Sequence, residues 1–177
     1  TVIDQSTLSV SGTTSTGEDT NLSQFISINS DGSKAYLPQT RSNTTNINLL
    51  FDTTVFPVVN VVELENLKLL IRDRITLDTA DRPVNMPFST VLTADEKTLY
   101  LANAGSDDVS VINLLTKKGL AHISVGSNPR GIAINPEETQ LFVNNVLDGT
   151  LSVIDTEILT VTDTVKLTEI PLTSSTL

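Results

Sequence analysis

Arginine, phenylalanine and aspartate gather in two short stretches of this 177-residue chain. Residues 40–57 hold Arg41, Phe51, Asp52 and Phe56, two of the chain's 5 phenylalanines, in a background rich in Asn and Thr. Residues 78–86 hold Asp78, Asp81, Arg82, Pro83 and Asn85. Aromatic and arginine anchors inside a polar rim suit a protein–protein contact. Arg41, Phe51, Asp52, Phe56, Asp81 and Arg82 are therefore the candidate binding residues. The same phenylalanines would equally serve to staple a long loop onto its own sheet.

No catalytic set converges elsewhere. With 0 Cys there is no disulfide, thiolate metal site, haem-attachment motif or cysteine nucleophile within these residues. A single histidine, His122, excludes a multi-histidine metal site. It falls in a predicted fourth strand, where a solvated edge residue is expected, whereas a Ser-His-Asp triad would place it on a loop. Ser106-Asp107-Asp108 and Asp148-Gly149 offer oxygens to Ca²⁺ but lack the full spacing of a dedicated loop, and read as plain turns. Glu137-Glu138 and Asp95-Glu96 read as solvated hairpin turns. Asn21-Leu22-Ser23 and Asn43-Thr44-Thr45 match the glycosylation pattern, a common chance match in so Asn- and Thr-rich a chain. No catalytic residues and no metal ligands are assigned.

Charge and composition narrow the partners. There are 11 Lys+Arg against 21 Asp+Glu, a net charge of −10, which argues against a nucleic-acid backbone binder. Aromatics make up 4% and Trp is absent, so a stacking platform for sugars or bases is not expected. No apolar run approaches the roughly 20 residues of a membrane span. At 38% hydrophobic, the chain has enough apolar residues for a core.

The elements that carry these stretches repeat. Pro87, Pro129 and Pro171 recur every 42 residues, and the segments between them align without a gap. Leu99, Tyr100 and Asn103 fall on Leu141, Phe142 and Asn145, and Ser110-Val111-Ile112 falls on Ser152-Val153-Ile154. An upstream unit aligns Tyr36 with Tyr100 and Val61 with Val111, at offsets of 64 and 50. Against a period of 42, this unit carries 14 extra residues within 40–57 and 8 within 78–86. Val2-Ile3-Asp4 matches Val153-Ile154-Asp155 and marks a partial unit at the start.

Each unit reads as four short strands rich in Val, Ile, Leu and Thr, separated by turn residues such as Asp31-Gly32-Ser33 and Pro136-Glu137-Glu138. Third strands such as Leu-Ser-Val-Ile are apolar on both sides, as strands buried on both faces are. Four antiparallel strands in about 42 residues make a propeller blade. The fold class is all-β: a β-propeller of four-stranded antiparallel blades, about three and a half of them. The expected organisation is a partial blade over 1–22, an enlarged blade over 23–86, blades over 87–128 and 129–170, and an exit linker over 171–177. Seven such blades would need roughly 300 residues, so a piece of a larger propeller is expected, with open blade edges available for self-association. Both insertions fall on connections that emerge on one face, where a rigid scaffold usually carries its binding loops.

Tyr100-Leu101-Ala102-Asn103 and Phe142-Val143-Asn144-Asn145 resemble the repeats of the YVTN β-propeller family. Val109-Ser110-Val111-Ile112-Asn113 and Leu151-Ser152-Val153-Ile154-Asp155 are similar to that family's third strand, and residues 124–133 to its blade junction. The resemblance covers residues 87–171 and, more weakly, 23–86. It implies an extracytoplasmic protein: periplasmic, secreted or on the cell surface. Some members are fused to a di-haem domain similar to cytochrome c peroxidases, and Ile170-Pro171-Leu172-Thr173 resembles the segment leading into it. The motif brings no catalytic residues.

Three functions follow as expectations. The first is a non-catalytic scaffold or binding module docking a protein partner or adjoining domain through the enlarged face, with no cofactor within this chain. The second is the propeller part of a di-haem redox enzyme whose haem domain lies beyond residue 177. The third is a surface-layer or adhesion repeat protein.

Overall fold

Runs of β-branched residues alternate with Asp, Asn and Gly turns, and the backbone pairs accordingly. A computed structural model of the protein describes residues 1–43, 55–77 and 82–167. Among the described residues there are sixteen strands, one 3₁₀ turn and no α-helix. Strands β1 (Val2–Asp4) and β2 (Ser9–Gly12) form a two-stranded sheet. A six-stranded sheet follows, built from β3 (Thr20–Asn21), β4 (Ser27–Ile28), β5 (Lys34–Ser42), β6 (Val55–Glu63), β7 (Lys68–Leu69) and β8 (Ile75–Thr76). The third sheet runs β9 (Pro87–Leu92), β10 (Thr98–Asn103), β11 (Asp108–Asn113) and β12 (Lys118–Ser124). The fourth runs β13 (Pro129–Ile134), β14 (Gln140–Asn145), β15 (Thr150–Asp155) and β16 (Thr160–Lys166). Neighbouring strands are antiparallel throughout. The sheets stand side by side like propeller blades, and the described strands do not close into a ring.

The six-stranded sheet is a four-strand blade with its outer strands broken. Its first strand is split into β3 and β4, both paired to β5. Its fourth is split into β7 and β8 by the 3₁₀ turn Ile71–Asp73. Its middle strands are long instead: β5 and β6 have 9 residues each, against 6 in β10 and β11. Part of the first insertion has thus become strand, and the hairpin reaches farther on that side than in the regular sheets.

Packing occurs between sheets. Tyr36, Val59, Val61, Ile75 and Leu77 of the six-stranded sheet meet Leu99, Leu101 and Ile112 of the third. On the other side of the third sheet, Tyr100, Val109, Val111 and Ile123 meet Leu141, Val143 and Ile154 of the fourth. Successive side chains of a strand point to opposite faces, so the third sheet is covered on both. Residues 108–112 of β11 are all buried, as the two-sided apolar pattern requires. At β16 only Val161 is even partly covered.

Polar side chains hold the turns in register. Asp4 Oδ1 accepts from the Ser6 and Thr7 amides, both at 2.9 Å. In the aligned turns Asn113 Oδ1 accepts from the Thr116 amide at 2.9 Å, and Asp155 Oδ1 from the Glu157 amide at 2.9 Å. Hydrogen bonds from Ser6 and Thr7 lower the Asp4 pKa to about 2. Glu96 and Glu138, expected to be solvated, instead reach back to the preceding sheet. Glu96 Oε1 accepts from the Ser30 amide at 2.9 Å, and Glu138 Oε1 accepts from the Ala94 amide. Ser30 and Ala94 are aligned positions; the next in the series is Pro136. Both glutamates have left-handed backbones, at φ 56° and 57°, and Gly32 takes the same conformation at φ 72° in the sheet without the carboxylate.

Leu101 is fully buried between two sheets, whereas Leu115 is 85% exposed. In chemical unfolding, Leu101→Ala is expected to cost about 2–5 kcal/mol. Leu115→Ala should stay within about 0.5 kcal/mol of wild type.

Candidate functional site

The first insertion lies between a second and a third strand and the second between a fourth strand and the next sheet, so both fall at the end of the sheets where second strands end and third strands begin. In the regular sheets that end is pinned by an asparagine. Asn103 Nδ2 donates to Asp108 Oδ1 at 2.7 Å and to Ser110 Oγ at 2.8 Å. Asn145 Nδ2 donates to Thr150 Oγ1 at 3.0 Å and to Ser152 Oγ at 2.9 Å. In the enlarged sheet the aligned residues are Gln39 and Asn60. The longer amides turn a local pin into a network.

Asn60 is fully buried and donates through Nδ2 to Gln39 Oε1 at 2.7 Å. Its Oδ1 accepts from Arg74 Nε at 2.7 Å. Gln39 Nε2 donates to Thr16 Oγ1 at 3.0 Å. The Arg74 side chain is 11% exposed, and its Nη1 lies 3.5 Å from Asp19 Oδ2. The same Asp19 oxygen accepts from Arg41 Nε at 2.5 Å. Asp19 also accepts, through its backbone carbonyl, the Ser42 amide at 2.7 Å. The hydrogen bond from Arg41 holds the Asp19 carboxyl below the usual aspartate range.

The guanidinium of Arg41 lies 5.6 Å from the ring centroid of Phe56, its direct cross-strand partner in the β5–β6 register. Arg41 and Phe56, two of the expected binding residues, are thus brought together at the base of the first insertion. Arg82 goes elsewhere. Its Nη2 lies 3.4 Å from Asp108 Oδ2 and donates to Ser124 Oγ at 3.1 Å, on the third sheet. Phe51, Asp52 and Asp81 lie outside the described residues.

Asp19, Gln39, Asn60 and Arg74 were not among the residues expected from the sequence. The signal was present as a departure from the repeat register, in amides longer than the Asn–Ser pair. His122 lies in a fourth strand, as expected, but it is partly buried, with Nε2 3.2 Å from the Leu77 carbonyl of the preceding sheet. Asp108 is not a plain turn residue either, since it is fully buried. Among the described residues, no group of three or more His, Asp or Glu is placed to hold a metal ion. No helix among them is long and apolar enough to cross a membrane.

No family model matches the chain, and no curated protein matches it. Its likenesses are to solved structures. It superposes on hydrazine synthase from Kuenenia stuttgartiensis with a TM-score of 0.62 and 25% identity, over 88% of this chain and 38% of that one. A protein of unknown function from Bacteroides caccae gives a TM-score of 0.60 and 10% identity, over 85% and 47%. The nidogen/laminin complex gives 0.53 and 14%, over 79% and 45%. The fold is that of a β-propeller. The chain spans less than half the length of each of these solved chains.

Two measurements check the network. Asn60→Ala removes one partner from a buried polar set and should cost about 2–4 kcal/mol in urea unfolding. Ser152→Ala at the aligned position of a regular sheet should cost about 1 kcal/mol. Asp19, with its folded pKa lowered, contributes stability above the unfolded value of about 3.9, which is lost as the pH falls through the folded value. Asp19→Asn should therefore be less stable than wild type at pH 7, with the difference shrinking below about pH 4.

Proposed function

We propose that the chain is a non-catalytic, extracytoplasmic β-propeller module of the YVTN type that docks a protein partner or an adjoining domain through its enlarged face. The observation that carries this reading is the fastened base of the first insertion. The hairpin is lengthened by paired strand, Asp19 binds both Arg41 and Arg74, and Arg41 lies over Phe56. Such a base fixes the strand ends, and with them Arg41 and Phe56, so that these two side chains meet a partner at a low ordering cost. Among the described residues Arg41 is engaged through Nε and the face of its guanidinium, which leaves its Nη edge for a carboxylate or backbone carbonyl of a partner.

A photo-crosslinking residue at position 51, inside the first insertion, tests the reading. The control carries the same residue at position 115, at the far end of the third sheet and 85% exposed. In cells, position 51 should give a defined crosslinked product that Arg41→Ala and Phe56→Ser together reduce at least about tenfold, whereas Asp19→Asn, which also loses the Asp19–Arg41 contact but keeps both side chains, reduces it less. Equal products from both positions, or none from 51, would refute it.

A second reading draws on the likeness to hydrazine synthase, an enzyme by its name. The chain would then be the propeller part of a di-haem cytochrome c peroxidase-like redox enzyme, with haem in a domain beyond residue 177. Cys-x-x-Cys-His motifs downstream in the gene and haem absorbance in the full-length polypeptide support it; their absence refutes it.

A further inference from the structure

The enlarged face carries a second arginine laid over a phenylalanine, this one on the first strands. First strands of neighbouring sheets touch: Ser27 Oγ donates to the Thr90 carbonyl at 2.9 Å, and Ser89 Oγ to the Arg130 carbonyl. Strands β9 and β13 begin beside Asn103 and Asn145, at the end of the sheets that bears the insertions. Both bulge at their second residue. Pro87 pairs with Asn103 and Ser89 with Ala102, which leaves Phe88 out of the ladder. Pro129 pairs with Asn145 and Gly131 with Asn144, which leaves out Arg130. A bulge re-aims the side chain it leaves out. These two, at aligned positions, are aimed at each other: the Arg130 guanidinium lies 4.9 Å from the centroid of the Phe88 ring.

Arg130 is held rather than free to swing. Its Nε donates to Asn128 Oδ1 at 2.7 Å, and the Phe88 ring covers one face of its guanidinium. Asn128 is itself fixed to the third sheet: its amide donates to Asp107 Oδ1 at 2.8 Å and its Nδ2 to the Ala104 carbonyl at 2.9 Å. Its left-handed backbone, at φ 55°, is one that asparagine tolerates. The contrast with Arg41 lies in charge. Arg41 Nε is held by the Asp19 carboxylate, Arg130 Nε by a neutral amide. Arg41, Arg74 and Arg82 each face a carboxylate, whereas Arg130 has none within ion-pair distance among the described residues. It is exposed, and its two Nη groups remain as a planar fork. A fork whose side chain is already ordered is what bidentate capture of an oxyanion requires.

We propose that Arg130 is the receptor for a small monocarboxylate, taken by both Nη groups on the first strand at the enlarged face. The planar pair of carboxylate oxygens matches the fork. A single negative charge also suits a chain of net charge −10, with Asp107 just behind Asn128, better than a phosphate would. The site stands apart from partner docking, since it needs no second protein.

Titration with acetate at constant ionic strength, followed by NMR, reads the site. The reporters are the Gly131 amide, next to Arg130, and the Phe88 ring protons. The comparison is the amide of Arg72, an exposed arginine on the 3₁₀ turn. The Arg130 reporters should reach half their change at an acetate concentration at least about tenfold below that at Arg72. Arg130→Lys keeps the charge and loses the fork, and should raise that midpoint about tenfold with the other amide signals in place. Chloride that shifts the reporters as acetate does would reveal a bare point charge and overturn the proposal. So would equal midpoints at Arg130 and Arg72, or an Arg130→Lys protein that takes acetate as the wild type does. Tighter binding of inorganic phosphate than of acetate would overturn the carboxylate as ligand.

Discussion

A sheet that is apolar on both faces has nowhere to put them except against two other sheets. That constraint governs the molecule. The third sheet satisfies it twice, through Leu99, Leu101 and Ile112 on one side and Tyr100, Val109 and Val111 on the other. Hydrogen bonding within a sheet cannot supply this, since it runs in the plane of the sheet and is indifferent to what lies above or below. Stacking also fixes where function can sit. Strand interiors are committed to packing, so the connections at the two ends of the strands are where the sequence is free to vary.

The polar residues serve that stacking rather than compete with it. Turn carboxylates and amides such as Asp4, Asn113 and Asp155 close their own hairpins on backbone amides. At the strand ends, Asn103 and Asn145 tie second strand to third. Where the enlarged sheet needs to hold longer strands, the same two positions become Gln39 and Asn60, and Arg74 and Asp19 complete the set. One repeated pin has been extended by longer side chains into an anchor for an insertion. The network is not filled at every member: Arg74 Nη2 is buried without a hydrogen-bond partner among the described residues, and an unmet polar atom costs more than a hydrogen bond returns.

The period of 42 residues and the Tyr100/Phe142 and Ser110/Ser152 alignments carried the fold, because stacked sheets make the same demand at the same position in each unit. The strand ends were legible to within a few residues: the sequence pattern puts the first strand of the last unit at Ile132–Asn135 and the fourth at Thr162–Leu167, and they begin at Pro129 and Thr160. The breaks in the outer strands of the enlarged sheet were not legible, since Thr20–Asn21 and Ile75–Thr76 are too short to show a period. Of the candidate site, the pairing of Arg41 with Phe56 follows from cross-strand register, which an alignment to shorter strands cannot give. Arg82 and Asp108 belong to different units, and a reading unit by unit could not join them. Yet both stood out in one respect, as charged residues where the repeat has none to match.

The glutamates that reach back between sheets give the stack a direction. Each later sheet offers a carboxylate and each earlier one an amide, so front and back are chemically different surfaces. At position 136 the series meets a proline, which has no N–H to give. Anything packed on that side of the fourth sheet cannot be held by the clasp that the Ser30 and Ala94 amides give.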